Sequence, residues 1–414
     1  MTIDTELQAA APTTSASLRP SLLLSLALLA AAAPIGTDLY LSAFPLMVAD
    51  LHTTSSGVQL SLTAFLLGAG AGQAIFGTIS DRLGRRRPLL VGTALYVITG
   101  IAAALSPNLG VLVVARLLQG VSGAAGMVIS RSVISDLAHG RQAARAFSIM
   151  MLVSGIAPVA APLVGSLLSG SIGWRGLLWV IAAVGLVGLL ATIAFVPETR
   201  SAEARAAAGK LSATAGLRAL LQPSYLGNAL AYGFAFATMM AYISASPFLY
   251  QTMMGLTQVE YGLAFGLNAL AIAVLGGLSA RLVRRHSPRT IALFGLAGNA
   301  TGIVILLALV VLQVPAIWLS LPLLLAIGAL GLVLGPLTAL ALDSVRTVSG
   351  LGSAVLGLLQ FGLGGIVAPL VGLGGDSTAA PLAWTMLAAS VVALIAFAGA
   401  KRNGASAGTE PTAD

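Results

Sequence analysis

Residues 77–88 read Gly77-Thr78-Ile79-Ser80-Asp81-Arg82-Leu83-Gly84-Arg85-Arg86-Arg87-Pro88, an island of charge between apolar runs long enough to cross a bilayer on both sides. It is the densest polar cluster in the chain. A second, eroded copy follows about two hundred residues later as Gly276-Gly277-Leu278-Ser279-Ala280-Arg281-Leu282-Val283-Arg284-Arg285. The copy aligns Gly276 with Gly77, Arg281 with Arg82 and Arg284 with Arg85, but Ala280 stands where the first has Asp81. Two such segments at this spacing point to a chain built from two related halves.

Composition sets the class. With 57% hydrophobic and 8% charged residues over 414, the chain has too few charges to clothe a soluble globule, and an integral membrane protein is expected. The net charge of +8 does not point to nucleic acid, because the basic residues sit in short loops between apolar runs rather than on one face. Cysteine is absent, which removes disulfides, thiol chemistry and cysteine metal sites. His52, His139 and His286 fall in expected loops with no partner at ligand spacing. No metal is expected, and no apolar run carries a Ser/His/Asp set, so a membrane-embedded enzyme is disfavoured.

Residues 1–18 are a polar Ala/Thr/Ser-rich tail of the kind that stays disordered. Arg19 and the Leu-rich stretch after it resemble a signal peptide, but the apolar run continues to about Met47, nearer the length of a full span. Twelve runs of spanning length lie near 21–47, 58–79, 88–105, 109–135, 146–170, 176–197, 225–250, 261–280, 290–314, 316–342, 349–373 and 379–400. The tight pair 290–314 and 316–342 is the least marked division. The reading is therefore an all-α membrane protein with an N-terminal six-helix half (19–197), a linker (198–224), a C-terminal six-helix half (225–400) and a tail (401–414). Arg19, the Arg82–Arg87 loop, Arg131, Arg141, Arg145, the 200–218 connection, the 281–289 loop, Arg346, Lys401 and Arg402 fall on one side, and Arg175 alone on the other. Lys and Arg stay in cytoplasmic loops, so both termini are expected in the cytoplasm.

Asp38 and Arg116 are the ionisable residues expected well inside the spans, where each costs about 2.5–3.5 kcal/mol if left alone. Both lie about 10 Å below the same surface by helix rise, so they are expected to face each other or a shared cavity. A fixed ion pair between two helices is the structural reading. The functional one is proton coupling, since a carboxylate near a cation becomes protonatable only when that charge moves away. In the charged loop, Asp81 is expected to meet the positive N-terminal end of the eleventh span near Val348. Gly77 is expected to allow close helix approach, Gly84 a tight turn, and Arg85 and Arg86 are expected to reach Asp136. The alternative for this loop is topogenic charge alone. Asp343 and Arg346 read as a local helix-end pair. In the seventh span Tyr232, Phe236 and Met239 share a face, with Met240 and Tyr242 beside them, which suits either a flexible ligand surface or ordinary packing. Asn268, Asn299 and Gln360 are amides whose partners the sequence does not assign. Gly68, Gly72, Gly120, Gly123, Gly362 and Gly365 are expected to serve close helix packing.

The Gly77–Arg86 island resembles the loop between the second and third helices of the major facilitator superfamily, and its second copy matches that fold's internal repeat. Three further stretches narrow the resemblance. Gly36-Thr37-Asp38-Leu39-Tyr40-Leu41-Ser42-Ala43-Phe44-Pro45 resembles the first helix of the bicyclomycin and chloramphenicol resistance branch. Arg116-Leu117-Leu118-Gln119-Gly120, with Gly123 and Ala124, resembles the arginine motif of the fourth helix. Ala157-Pro158 with Ala161-Pro162-Leu163-Val164-Gly165 resembles the antiporter motif of the fifth, and Trp174-Arg175 and Pro197-Glu198-Thr199-Arg200 add to the match. The resemblance covers the N-terminal half densely and the C-terminal half in topology alone. It implies the major facilitator fold and export of small amphipathic drug-like molecules, amphenicol- or bicyclomycin-like, in exchange for protons. It implies gating by Gly77, Asp81, Arg82, Gly84, Arg85 and Arg86, and an antiporter motif carried by Pro158, Pro162 and Gly165. Tyr40 and Gln119 join Tyr232, Phe236, Met239 and Met240 as cavity residues. A monomer in the bacterial cytoplasmic membrane, driven by the proton gradient without a cofactor, is the expected working form. Ala30 departs from relatives that carry a second membrane carboxylate there. A proton-linked transporter of a natural metabolite on the same fold is the competing expectation.

Overall fold

The structure, a computed structural model, describes residues 19–138, 140–200, 218, 220–345, 349–375 and 377–400. The expected tails 1–18 and 401–414, most of the 198–224 linker, His139, Arg346 and Val348 lie outside these residues. The described chain is helical, with no strand.

The first apolar run forms α1 (Pro20–Asp38), a 3-10 turn at Leu41–Ala43 and α2 (Phe44–Asp50). Then come α3 (Ser55–Leu83), α4 (Arg86–Ala104), α5 (Leu109–Leu137) and α6 (Gly140–Phe195). At 56 residues α6 would be about 84 Å long, far beyond the roughly 30 Å hydrocarbon thickness. Gly173, at φ 64°, breaks it into two passages inside the expected 170–176 connection. The C-terminal half contains α7 (Pro223–Pro247, continued by a π turn at Phe248–Met253), α8 (Gln258–Leu282) and α9 (Pro288–Val311). A 3-10 turn at Ala316–Leu319 opens the tenth span, made of α10 (Ser320–Ala329) and α11 (Leu334–Asp343). The last two are α12 (Ser349–Val367) and α13 (Ala380–Gly399). With α6 counted as two, eleven spanning stretches become the twelve expected. The doubtful division near 315 is a real turn, because Gln313 takes a positive φ of 51° and Pro315 precedes the next helix.

Side-chain hydrogen bonds and glycines fit these helices together. In the N-terminal half α3 packs along α5, where a Cβ at Gly68, Gly72 or Gly120 would overlap a backbone carbonyl of the partner helix. Small residues here let two backbones touch, which is how helices associate where lipid offers no hydrophobic drive. Gly77 does not share this role. A Cβ there would meet only Val128 at an ordinary 3.7 Å, so the expected close approach lies one to three turns earlier on α3.

The two halves meet through α3 against α12 and α6 against α8. These are equivalent contacts under a two-fold relation that exchanges the second span with the eighth and the fifth with the eleventh. The same relation places the copy at Gly276–Arg285 at the end of α8, as the first stands at the end of α3.

Candidate functional site

Asp38 ends α1 at a break in the middle of its span. Leu39 N–H still donates to the Ile35 carbonyl, but Tyr40 leaves helical geometry (φ −98°, ψ 0°), and the helix resumes only at Phe44. A helix end inside a membrane leaves carbonyls needing donors. Arg116 Nη2 donates to the Gly36 carbonyl at 2.6 Å, supplying that donor and placing a cation at the negative end of α1. Its Nη1 donates to Gln119 Oε1 at 2.7 Å, and the guanidinium lies over the Tyr40 and Phe65 rings at 4.6 and 4.4 Å. Arg116 is fully buried in this cage, and its Nε has no partner among the described residues.

The expected meeting of Asp38 with Arg116 is therefore replaced by a different arrangement. No ion pair joins them; Arg116 holds the backbone that carries Asp38. Asp38, 4% exposed, instead lines a central cavity of about 370 Å³. Pro158 also lines the cavity, and Gly165 lies where any Cβ would overlap the Leu39 carbonyl. The Pro158–Gly165 segment of α6 is thus packed on the α1 break, with the Ser166 hydroxyl donating to the Pro162 carbonyl at 2.6 Å. Ala30 faces the same cavity from α1.

Of the other expected cavity residues, Phe236, Met239 and Met240 line it. Tyr40 and Gln119 do not, because both are spent on Arg116, and the Tyr40 hydroxyl is bonded to Ser61 at 3.0 Å. Tyr232 stands behind the wall and donates to Gln360 Oε1 at 2.8 Å; Gln360 itself reaches the cavity. Asn299 is structural, donating to the Ala326 carbonyl and accepting from Ser390. Asn268 lines the cavity with its Oδ1 unpaired among the described residues, as is the Tyr242 hydroxyl, also in the lining.

Arg131 is a cavity residue that sequence reasoning missed. The sequence counts it among the basic residues of the cytoplasmic side, yet it lines the cavity from α5, one turn beyond Met127, and its side chain is open to it. The available signal was its position inside an expected span, four residues after a methionine on the same helix face.

At the end of the molecule that carries the charged loop, Arg85 is the organiser. Only 6% of its side chain is exposed; it donates to Asp136 Oδ2 at 2.9 Å, Asp81 Oδ1 at 2.8 Å and Ser80 Oγ at 3.0 Å. Burial works against its charge, but Asp136 and Asp81 outweigh that and leave the guanidinium above its ordinary range. Gly84 makes the expected turn with φ 92°. Arg86 does not reach Asp136; it donates to the Ile193 carbonyl at 3.2 Å. Asp81 is half exposed and is held by Arg85 and by Arg200 at 3.1 Å, so it is engaged within its own half. The start of the eleventh span, its expected partner, lies partly outside the described residues. Glu198 supplies what the sequence did not reveal. Its carboxylate accepts from the backbone N–H of Arg85 and Arg86 at 2.8 and 3.2 Å, so it caps the positive end of α4 from across the half.

The opposite, far end is sealed between the halves. Gln59 donates to the Ser244 carbonyl at 3.0 Å, Gln251 to the Ser42 carbonyl at 3.0 Å, and Ser169 to Gln258 at 2.8 Å. Phe44 meets Phe248 with ring centres 6.2 Å apart. Trp174 and Arg175 both donate to Asp50 there, at 2.9 and 2.5 Å. Among the described residues, the side-chain hydrogen bonds between the halves gather at this end.

The sequence pattern of the Major Facilitator Superfamily matches residues 26–369. An uncharacterised MFS-type transporter of Bacillus subtilis (strain 168) is 34% identical over 388 residues, covering 92% of this chain and 95% of the relative. A bicyclomycin resistance protein homolog of Haemophilus influenzae is 28% identical over 91% of this chain and 94% of its own. A chloramphenicol resistance protein of Pseudomonas aeruginosa is 31% identical over 66% and 65%. Among solved structures, the xylose transporter XylE from E. coli in a partially occluded inward-open conformation superposes with a TM-score of 0.69. That match covers 91% of this chain and 96% of the other at 16% identity, a likeness of fold. With twelve spanning stretches among its described residues, in two six-helix halves, the chain belongs to the major facilitator superfamily, as a multi-pass membrane transporter of small substrates rather than an enzyme.

Proposed function

We infer that the protein is a proton-coupled efflux transporter of amphipathic drug-like molecules, working by alternating access. The observation that carries this reading is Asp38, the one carboxylate lining the central cavity among the described residues, set at a helix break with no cationic partner. A carboxylate so placed is open to a proton or to a ligand from the cavity, and not to both at full strength. That competition is what exchange requires. The cavity wall of Phe236, Met239 and Met240 suits ligands of varied shape, because methionine adapts and aromatic rings stack.

The basic loop sides with the cytoplasm, which puts both termini there and makes the sealed far end the extracytoplasmic one. The arrangement is then an inward-facing state, with the outer gate closed by the Gln59, Gln251 and Ser169 bonds. No cofactor enters the cycle; the proton gradient drives it, and one chain suffices. The names of the Haemophilus and Pseudomonas relatives favour antibiotics over nutrients as cargo.

The test is expression in a strain lacking its own drug pumps, screened against an antibiotic panel that includes chloramphenicol and bicyclomycin. Raised resistance to at least one compound, with energised cells losing that preloaded compound and an uncoupler stopping the loss, is the expected result. Uncoupler-sensitive accumulation instead of loss would identify an importer and overturn the direction assigned here.

A further inference from the structure

Two charged side chains line the cavity, and they stand at different depths. Asp38, Tyr242 and Asn268 each lie about 15–18 Å from the far end by helix rise, counted from Asp50, Met253 and Gln258. Arg131 lies 22 residues from Leu109, or about 33 Å from that end. Helical side chains lean toward the helix N-terminus, here the far end, so measured along the spans the guanidinium stands roughly 10 Å from the first group.

The two poles differ in chemistry. At the far pole the groups left over are acceptors or neutral: the Asp38 carboxylate, the Asn268 Oδ1 and the Tyr242 hydroxyl. Away from that pole they are donors. Arg131 takes part in none of the ion pairs found among the described residues. Gln360 spends its oxygen on Tyr232, and its Nε2 donates no hydrogen bond among the described residues. Arg131 and Gln360 line the same cavity, and Tyr232 stands behind the wall on Gln360. Between the poles the wall is Met127, Phe236 and Met240.

We propose that Arg131, with the Gln360 amide in the same cavity wall, forms an acceptor-binding subsite for a ligand's planar two-oxygen group, such as a nitro or carboxylate. The ligand is elongated, with an apolar middle against the methionine and phenylalanine wall and hydrogen-bond donors toward Asn268 and Tyr242. A guanidinium presents two parallel N–H groups that match two oxygens on one atom, which an ammonium does not. The largely apolar lining around it strengthens such a contact relative to one at an open surface. This rests on the transport reading above, but binding in detergent needs neither a gradient nor a direction of transport.

The experiment measures Kd for three matched compounds with the purified full chain: chloramphenicol, the analogue with carboxylate in place of nitro, and the analogue with nitro reduced to an amine. Wild type should bind the nitro and carboxylate members at least tenfold more tightly than the amine. Arg131→Gln should lose that preference while binding the amine analogue within twofold of wild type. Arg131→Lys should keep part of the carboxylate affinity and lose the nitro preference, because it keeps the charge and loses the fork. Arg131 makes no ion pair among the described residues, so equal melting temperatures for the three proteins are expected. An unchanged preference in folded Arg131→Gln overturns the subsite, as does a wild type that binds none of the three. Failure of uphill export with the binding preference intact would overturn the efflux reading and leave the subsite standing.

Discussion

Replacing Arg85 by alanine removes the guanidinium that ties the ends of α3 and α5 together. It donates twice to Asp136, at 2.9 and 3.5 Å, and once each to Asp81 and Ser80. A hydrogen bond to a charged group contributes about 1.5–3 kcal/mol, and the 20% exposure of Asp136 keeps most of that value on its side. Asp81 is 49% exposed and keeps Arg200, so its share is no more than about 1 kcal/mol. Together the loss is about 2–4 kcal/mol, which for a chain of 414 residues lowers the melting temperature by about 2–5 °C. Arg85→Lys keeps the charge but not the fork and should lose about half as much. The cluster lies away from the cavity, and on the alternating-access reading it holds the ends of α3 and α5 together as the N-terminal half moves. Turnover should therefore fall severalfold while ligand Kd stays within about twofold. The assay pairs thermal melting in detergent with equilibrium binding and vesicle transport. An unchanged melting temperature would refute the bracing role, and a tenfold weaker Kd with normal turnover would show that the cluster shapes the cavity instead.

Gly165→Ala should drive a methyl into the Leu39 carbonyl and shift the α1 break, costing about 1–3 kcal/mol and reducing transport more than Gly77→Ala, whose site has room. Melting curves and transport of the two variants side by side check this; equal effects would contradict the packing assigned to the α6 segment. Gly84→Ala strains a backbone at φ 92° and pushes on the Glu198 carboxylate, so a loss of at least about 1 kcal/mol is expected, and Glu198→Gln in the same background should add less than it does alone. Asp50→Asn loosens an exposed pair with Arg175, and its effect on melting should be small and should vanish at high salt, as titration with sodium chloride will read.

Span number, the two-half plan and the loop copies were legible because they depend on run length and spacing, which the bilayer fixes. Arg85 with Asp136 was also legible, since both stand at helix ends on one side. Arg116 was misjudged because charge complementarity suggested a carboxylate partner, whereas the carbonyl exposed by the break after Asp38 took the guanidinium; Gly36 and Pro45 flank that break, but membrane helices tolerate both residues, so their presence does not by itself announce it. Tyr40 and Gln119 went wrong for the same reason, being drawn into the arginine's cage. Glu198 caps α4 from more than a hundred residues away, and no local pattern encodes such a partner. Arg131 was counted as loop charge because the positive-inside pattern explained it already, and only its depth relative to Met127 argued otherwise.

The central claim is that Asp38 carries the exchanged proton, and the most direct measurement is ligand-induced proton release by purified protein in weakly buffered detergent solution. The ligand is the compound that the resistance screen identifies, and Asp38→Asn is compared with wild type after both are shown by melting to be folded. Asparagine keeps the shape and cannot ionise, and since Arg116 is held by Gly36 and Gln119 rather than by Asp38, the variant should remain folded. Wild type should release protons on binding, and folded Asp38→Asn should release markedly fewer and fail to export against a gradient. Equal proton release with uphill export intact in the folded variant would contradict the account and place the coupling carboxylate elsewhere.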